Sequence, residues 1–349
     1  MAHCGRNLQT ARLNRMTANK ARPLRLLMSK QARRDFQVQI SNVLQGREIR
    51  YLDPEDEIVE AQGADIAFLT REVSADSGKT VLAKSLLRFY ECMRRSPDLG
   101  WMQTHSAGAD RPIYAELRAR NIVVTTASGA NAVPVAQMAL TGLLMLARRL
   151  PELGRAQQQC SWEPLLGARA PVDLRAQTAV IIGLGAIGLE LARLLKMLGL
   201  HVLGVRRSGK RCSEVDETLS AEQLPVALQR ADWLLLTCPL TQQTRAMIDA
   251  KAIALMPPGA RIINVSRGEV IVEADLIEAL KSGQLGGALL DVFVQEPLSP
   301  HSALWRLPNV IITPHSAGHT SAHYVAVGEM FLGNLALWRD GLPLRNAID

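Results

Sequence analysis

Thr178-Ala179-Val180-Ile181-Ile182, followed at once by Gly183-Leu184-Gly185-Ala186-Ile187-Gly188, is the stretch that decides how this chain is read. The apolar, β-branched run predicts a buried strand, and the amphipathic segment Leu189 to Leu198 predicts a helix. A strand, a G-x-G-x-x-G turn and a helix form the first half of a dinucleotide-binding unit. Gly183 allows the tight turn, Gly185 lets the backbone approach a pyrophosphate, and Gly188 lets the helix lie close on the strand. The helix start at Ala186 and Ile187 then turns free N–H groups toward the anion. The second strand the unit requires is present as His201 to Val205.

The end of that second strand speaks to the coenzyme. A carboxylate about twenty residues past the glycines ordinarily binds the adenosine 2′-hydroxyl. Here no acidic residue lies between Glu190 and Glu214, and the strand runs into Arg206-Arg207-Ser208, with Lys210 and Arg211 close behind. A guanidinium fork fits a 2′-phosphate that a carboxylate would repel. The expectation is NADP(H) in preference to NAD(H), with NAD(H) as the lesser coenzyme. The alternative is a solvated basic turn with no ligand role.

A length of 349 residues predicts two domains. The net charge of +7 suggests nucleic acid until it is located. Nine Lys and Arg fall within residues 1–34 and no acid does, so removing them leaves the remainder at −2. A nucleic-acid surface is therefore not implied. Residues 1–22 read as a disordered basic extension. A solvated tail, or a true start at Met16, is favoured over a transit peptide. No apolar run is long enough to span a membrane. The five cysteines (Cys4, Cys92, Cys160, Cys212, Cys238) have no C-x-x-C spacing, which argues against a metal site and suits a reducing cytoplasm.

Strand-like and helix-like segments alternate throughout, the pattern of parallel α/β sheets. Strands are expected at Arg25 to Met28, Ile49 to Leu52, Asp65 to Leu69, Trp101 to Thr104 and Ile122 to Thr126. A helix at Val81 to Arg94 falls among them, and one long apolar helix, Val133 to Leu150, follows. After an irregular stretch from Trp162 to Leu174, six more strands are expected: Thr178–Ile182, His201–Val205, Trp233–Thr237, Arg261–Val265, Ala288–Val292 and Val310–Thr313. A final amphipathic helix spans Ser321 to Trp338. If it returns to the first domain, that domain is discontinuous and the cleft between the two is crossed twice.

Three polar groups follow successive strands of the second series. They are Arg267 in Asn264-Val265-Ser266-Arg267-Gly268, Glu296 in Asp291-Val292-Phe293-Val294-Gln295-Glu296-Pro297, and His315 in Thr313-Pro314-His315-Ser316-Ala317-Gly318. Parallel strands deliver all three to one sheet edge. Each alone has a bland reading as a surface arginine, a loop charge or a buried histidine. Together they are what 2-keto acid reduction needs. Arg holds the substrate carboxylate bidentately, His protonates the carbonyl oxygen, and a carboxylate beside the imidazole orients it and favours its charged form.

In this order and spacing, GLGAIG, NVSRGEV, LDVFVQEPL and TPHSAG resemble the D-isomer-specific 2-hydroxyacid dehydrogenase family, over nearly the whole chain from about Leu24. The resemblance implies two doubly wound parallel-sheet domains with a cleft between. A flavodoxin-like substrate domain would comprise residues 23–130 and 319–349, and a Rossmann coenzyme domain residues 131–318. It implies Arg267, Glu296 and His315 as the catalytic trio, with Arg267 and His315 also binding substrate. Ser106, Ala107 and Gly108 would meet the substrate carboxylate through backbone N–H groups. Pro239, Thr244, Val265, Asp291 and Gly318 match positions around the coenzyme, with Asp291 suited to the nicotinamide carboxamide. The Arg206-Arg207 pair resembles the NADPH-preferring branch that includes glyoxylate and hydroxypyruvate reductases. The family further implies a homodimer, with the Val133 to Leu150 helix and the arm around Trp162 as contact elements, although that helix has burial within its own chain as its plainer reading. Where the family often carries Glu, this chain has Ala136-Gln137, so no role passes to Gln137. For the substrate side chain the candidates are Trp101, Tyr114, Trp305 and Met330, each of which is equally a core residue. The competing function is an NAD(H)-binding co-repressor, a protein-interaction module on the same fold, which the Arg206-Arg207 pair disfavours.

Overall fold

The computed structural model describes residues 22–55, 63–74, 82–108 and 111–348. Most of the basic extension, residues 1–21, lies outside them, as do Cys4, Val81, Ala109 and Asp110. The chain forms two compact units. The first runs up to Ala130 and resumes at Thr320, and the second is Asn131–His319.

The first unit is built on five parallel strands, β1 (Leu24–Leu27), β2 (Ile49–Leu52), β3 (Ile66–Leu69), β4 (Trp101–Thr104) and β5 (Val123–Thr125). Their order is β2-β1-β3-β4-β5, the flavodoxin-like winding, which reverses direction between β1 and β3. Helices cover both faces. The helix Lys30–Val43 and the final helix His323–Arg339 bury one face, where Phe331 stacks on Phe68 at 4.1 Å and on Trp101 at 5.3 Å. Such ring pairs contribute about 1 kcal/mol each beyond their buried area. Gly328 is required there, because a Cβ would lie 2.2 Å from the Phe36 ring. Trp101 and Tyr114 are core residues. Trp101 is fully buried and donates to Thr125 Oγ1 at 2.8 Å, and Tyr114 is 1% exposed. Met330, partly buried, packs against the cluster that holds Trp101. Trp101 and Tyr114 are therefore packing residues, and the substrate-contact reading falls for those two.

The second unit carries seven parallel strands, one more than the sequence reading gives. They are β6 (Thr178–Ile182), β7 (His201–Val205), β8 (Glu217–Leu219), β9 (Trp233–Leu236), β10 (Ala260–Asn264), β11 (Leu285–Leu290) and β12 (Val310–Ile312). The order β12-β11-β10-β9-β6-β7-β8 places β6 at the point where the winding reverses, and ligands bind outside the strand ends there. β9 and most of β6, β7, β10 and β11 are buried on both faces, which explains their near-continuous apolar sequences. The expected single helix from Val133 to Leu150 is two: Ala132–Ala147 and Leu150–Gln158. Arg149 takes a left-handed φ of +53° between them, and Pro151, lacking an N–H, starts the new helix rather than continuing the old one. The first of the two buries Val135, Ala139, Leu143 and Leu146 in its own unit's core. Trp305 is half exposed, with its ring N–H donated to Ser299 O. Among the described residues no helix is long and apolar enough to cross a membrane.

Candidate active site

The glycine turn leaves β6 with Gly183 at φ +103°, a conformation that excludes larger residues. A Cβ on Gly183 would lie 2.7 Å from the Cys238 backbone, and one on Gly188 would lie 2.0 Å from the Gly183 carbonyl oxygen. Gly185, by contrast, faces open space. Thus Gly183 and Gly188 hold the helix Ala186–Met197 against the strand, while Gly185 leaves a cradle that a Cβ would fill. Thr237, at the end of β9, ties the turn down by donating its hydroxyl to Gly183 O at 2.7 Å. Beside it, burial pushes the Cys238 thiol up to about 11, so it stays protonated at neutral pH. These residues fit a dinucleotide pyrophosphate at the helix start.

Arg206, Arg207 and Ser208 follow β7 directly, half-buried for Arg206 and exposed for the other two. The acids of the neighbouring strand are engaged elsewhere. Asp216 accepts from Val202 N and pairs with Lys196, and Glu217 pairs with His201 and Arg230. Glu214 accepts from Cys212 and Ser213. Among the described residues no carboxylate pairs with the Arg206 or Arg207 guanidinium. The loop after β9 closes on itself, with Thr244 Oγ1 donating to Pro239 O at 2.7 Å.

Arg267, Glu296 and His315 follow β10, β11 and β12, which are adjacent in the sheet. Asn264, 1% exposed at the end of β10, shapes the first turn. Its Oδ1 accepts from Ser266 N and Oγ, and its Nδ2 donates to Arg267 O at 3.0 Å. The Arg267 guanidinium donates to Ser266 O at 2.7 Å, and Val265 is buried in the core of the unit. Glu296 is fixed through Oε1, which accepts from Phe293 N at 3.1 Å. Its Oε2 lies 2.7 Å from His315 Nδ1. The Glu296 side chain is 14% exposed and the imidazole 45%, so the carboxylate is shielded while the ring reaches out.

His315 sits at a left-handed φ of +50°. Asp291 supports that turn. Its carboxylate, 2% exposed, accepts from Thr313 Oγ1, Ser316 N and Ala317 N on either side of His315, and its carbonyl accepts from His315 N. Gly318 is hemmed by the Asn131 amide, 2.6 Å from where a Cβ would stand. Asn264, Thr237 and Asp291's grip on the loop are absent from the sequence reading of the site. An Asn closing the buried run Arg261-Ile262-Ile263-Asn264 was the available signal, since an amide there must be satisfied by its own loop.

In the first unit, Ser106 follows β4 at one remove and folds its loop inward. Its Oγ donates to Gly108 O at 3.0 Å and its N–H reaches Thr104 Oγ1 at 3.3 Å. The Ala107 and Gly108 amides have no hydrogen-bond partner among the described residues.

Residues 140–317 match the model of the D-isomer specific 2-hydroxyacid dehydrogenase NAD binding domain. The chain is 34% identical over 258 residues to a glyoxylate reductase of Thermococcus gammatolerans, covering 72% of this chain and 76% of that one. It is 33% identical over 234 residues to a D-3-phosphoglycerate dehydrogenase of Archaeoglobus fulgidus, covering 66% of this chain; it spans only 43% of that protein's length. The solved NADPH-dependent glyoxylate/hydroxypyruvate reductase of Sinorhizobium meliloti, in complex with NADP and sulfate, superposes with a TM-score of 0.74 at 27% identity, covering 94% of this chain and 98% of that one. With its glycine turn, its strand-end trio and a family model spanning just over half its length, the chain belongs to the D-isomer specific 2-hydroxyacid dehydrogenase family.

Proposed function

We propose that this chain is an NAD(P)-dependent 2-hydroxyacid dehydrogenase working as a reductase of small 2-keto acids such as glyoxylate and hydroxypyruvate, with NADPH preferred. The observation that carries the reading is the 2.7 Å pair of Glu296 and His315, on the sheet edge that also bears Arg267 and the glycine turn. The bound coenzyme supplies the hydride. Arg267 holds the substrate carboxylate with two parallel N–H groups, and in the other unit the Ser106–Gly108 loop, whose Ala107 and Gly108 amides have no partner among the described residues, serves as a substrate-binding loop. His315 donates a hydrogen bond from Nδ1 to the Glu296 carboxylate, which leaves Nε2 to protonate the carbonyl oxygen and to recover the proton in the reverse direction. Glu296 fixes that orientation and stabilises the imidazolium.

Asn131–His319 serves as the coenzyme domain and the other unit as the substrate domain. Gly183, Gly185, Ala186, Ile187 and Gly188 take the pyrophosphate, Arg206, Arg207 and Ser208 the 2′-phosphate, and Pro239, Thr244, Val265, Asp291 and Gly318 line the coenzyme. The description of the Sinorhizobium enzyme as NADPH-dependent supports the coenzyme choice. A homodimer is supported by the apolar exposure of the arm, with Trp162 at 95% and Leu166 at 71%; sedimentation velocity tests it. For the function itself, NADPH and NADH consumption is followed with a panel of 2-keto acids. Turnover favouring NADPH is expected, and no turnover with any member would overturn the reading.

A further inference from the structure

At the carboxyl end of the first unit's sheet, the residue just before Ser106 is a histidine the proposed chemistry does not use. His105 follows β4, and its Nε2 lies 2.7 Å from Ser74 Oγ, which is contributed by the short helix after β3, Arg71–Ser74. The Ser74 hydroxyl has one proton. Its 3.1 Å contact with the Arg71 carbonyl, which can only accept, claims that proton. Ser74 must then accept from His105, and the imidazole carries its hydrogen on Nε2. Nδ1 is left as an acceptor, with no hydrogen-bond partner among the described residues.

The surroundings keep the ring uncharged. Burial, followed by the nearby His323, Arg71 and Arg111, pushes His105 down to about 3. His323 belongs to the start of the final helix, its ring 6.4 Å away edge-on, and Arg111 precedes the helix Pro112–Ala119. No acid features among the groups acting on this ring. A neutral imidazole with a fixed tautomer, beside the loop assigned to the substrate carboxylate, is an acceptor that selects for a donor. The carboxylate and keto group of a 2-keto acid offer none; only a substituent on its third carbon does.

We propose that His105 is a specificity-determining residue whose Nδ1 accepts a hydrogen bond from a hydroxyl on the substrate's third carbon, so that 3-hydroxy-2-keto acids are preferred over those bearing hydrogen or methyl. The assignment rests on the proposed function, because it needs the carboxylate at Ser106–Gly108. Ser74 is a positioning residue that acts through His105.

The test is kcat/KM for hydroxypyruvate, pyruvate and glyoxylate at saturating NADPH. One uncharged hydrogen bond predicts a preference for hydroxypyruvate over pyruvate of about tenfold. His105→Phe brings that ratio close to one, while His105→Asn, which keeps an acceptor oxygen, retains part of it. Between about pH 5 and pH 8 the wild-type ratio stays flat, because the ring remains neutral throughout. Equal efficiencies in the wild type, a ratio untouched by His105→Phe, or a ratio that titrates as an ordinary imidazole would each overturn the assignment of His105 alone. Turnover of none of the three keto acids would overturn the proposed function and this assignment with it.

Discussion

Alanine at each glycine of the turn separates two duties that the motif combines. In Gly188→Ala the new Cβ stands 2.0 Å from the Gly183 carbonyl oxygen, where ordinary contact begins at 3.4 Å. The obstacle is backbone, so the helix Ala186–Met197 must retreat from β6 by at least the 1.4 Å difference. Overpacking of this kind costs about 1–3 kcal/mol or more, which for a unit of this size lowers Tm by roughly 3–10 °C. The retreat also draws the helix N–H groups away from the pyrophosphate. Loss of two charge-assisted hydrogen bonds at about 1.5 kcal/mol each weakens NADPH binding by about 100-fold. Gly185→Ala behaves differently. Its φ of −86° suits any residue, and its Cβ meets nothing within 4 Å, so the Tm without coenzyme stays within about 1 °C of wild type. The methyl group instead occupies the space reserved for the pyrophosphate, and NADPH affinity falls by about tenfold or more. Thermal melts without coenzyme and fluorescence titrations with NADPH read both variants. If Gly185→Ala binds NADPH as tightly as wild type, the pyrophosphate does not lie over this turn. If Gly188→Ala changes neither Tm nor affinity, the packing argument is wrong.

Three further outcomes follow from other parts of the molecule. Replacing Arg206 and Arg207 together by alanine removes both forks, raises the KM for NADPH by about tenfold or more and leaves NADH nearly unaffected; steady-state kinetics with both coenzymes checks it. Glu296→Gln keeps a hydrogen-bonding group against His315 but removes the charge, so kcat falls by about 10²-fold or more while the NADPH Kd holds. Asp65 tests a structural pair. Burial alone would raise its pKa, yet hydrogen bonds from the Arg25 side chain and backbone and from Arg22 hold it below the usual carboxylate range. A lowered pKa means stabilisation that is present above the unfolded value of about 4 and lost as pH falls through the folded one. Asp65→Asn therefore costs about 3 kcal/mol at pH 7 by urea unfolding, and its difference from wild type shrinks steadily as the solution is acidified below about pH 4.

The parallel strands were legible because burial on both faces demands continuous apolar runs, as in Val180 to Ile182 and Trp233 to Leu236. β8 was not. Glu217-Thr218-Leu219 is a three-residue edge strand, partly exposed and paired only with β7, so no apolar run marks it. The broken helix was hidden by its hydrophobicity, although Pro151 carried the warning. Within the site, Arg267, Glu296 and His315 could be read from their positions just past strands. The residues that aim them could not. Asp291 holds Thr313, Ser316 and Ala317 through contacts 22 to 26 residues apart, and Ser74 reaches His105 across 31. Such pairings exist only once the strands are side by side.

The most direct test of the account is His315→Ala, with the rate of 2-keto acid reduction and the NADPH Kd measured on the same preparation. A fall in kcat of about 10²- to 10⁴-fold is expected, with NADPH binding unchanged within about twofold, because the glycine turn and Arg206-Arg207 lie elsewhere on the sheet edge. A variant that keeps its rate, or that loses coenzyme binding as severely as catalysis, would contradict the assignment of His315 as the proton donor.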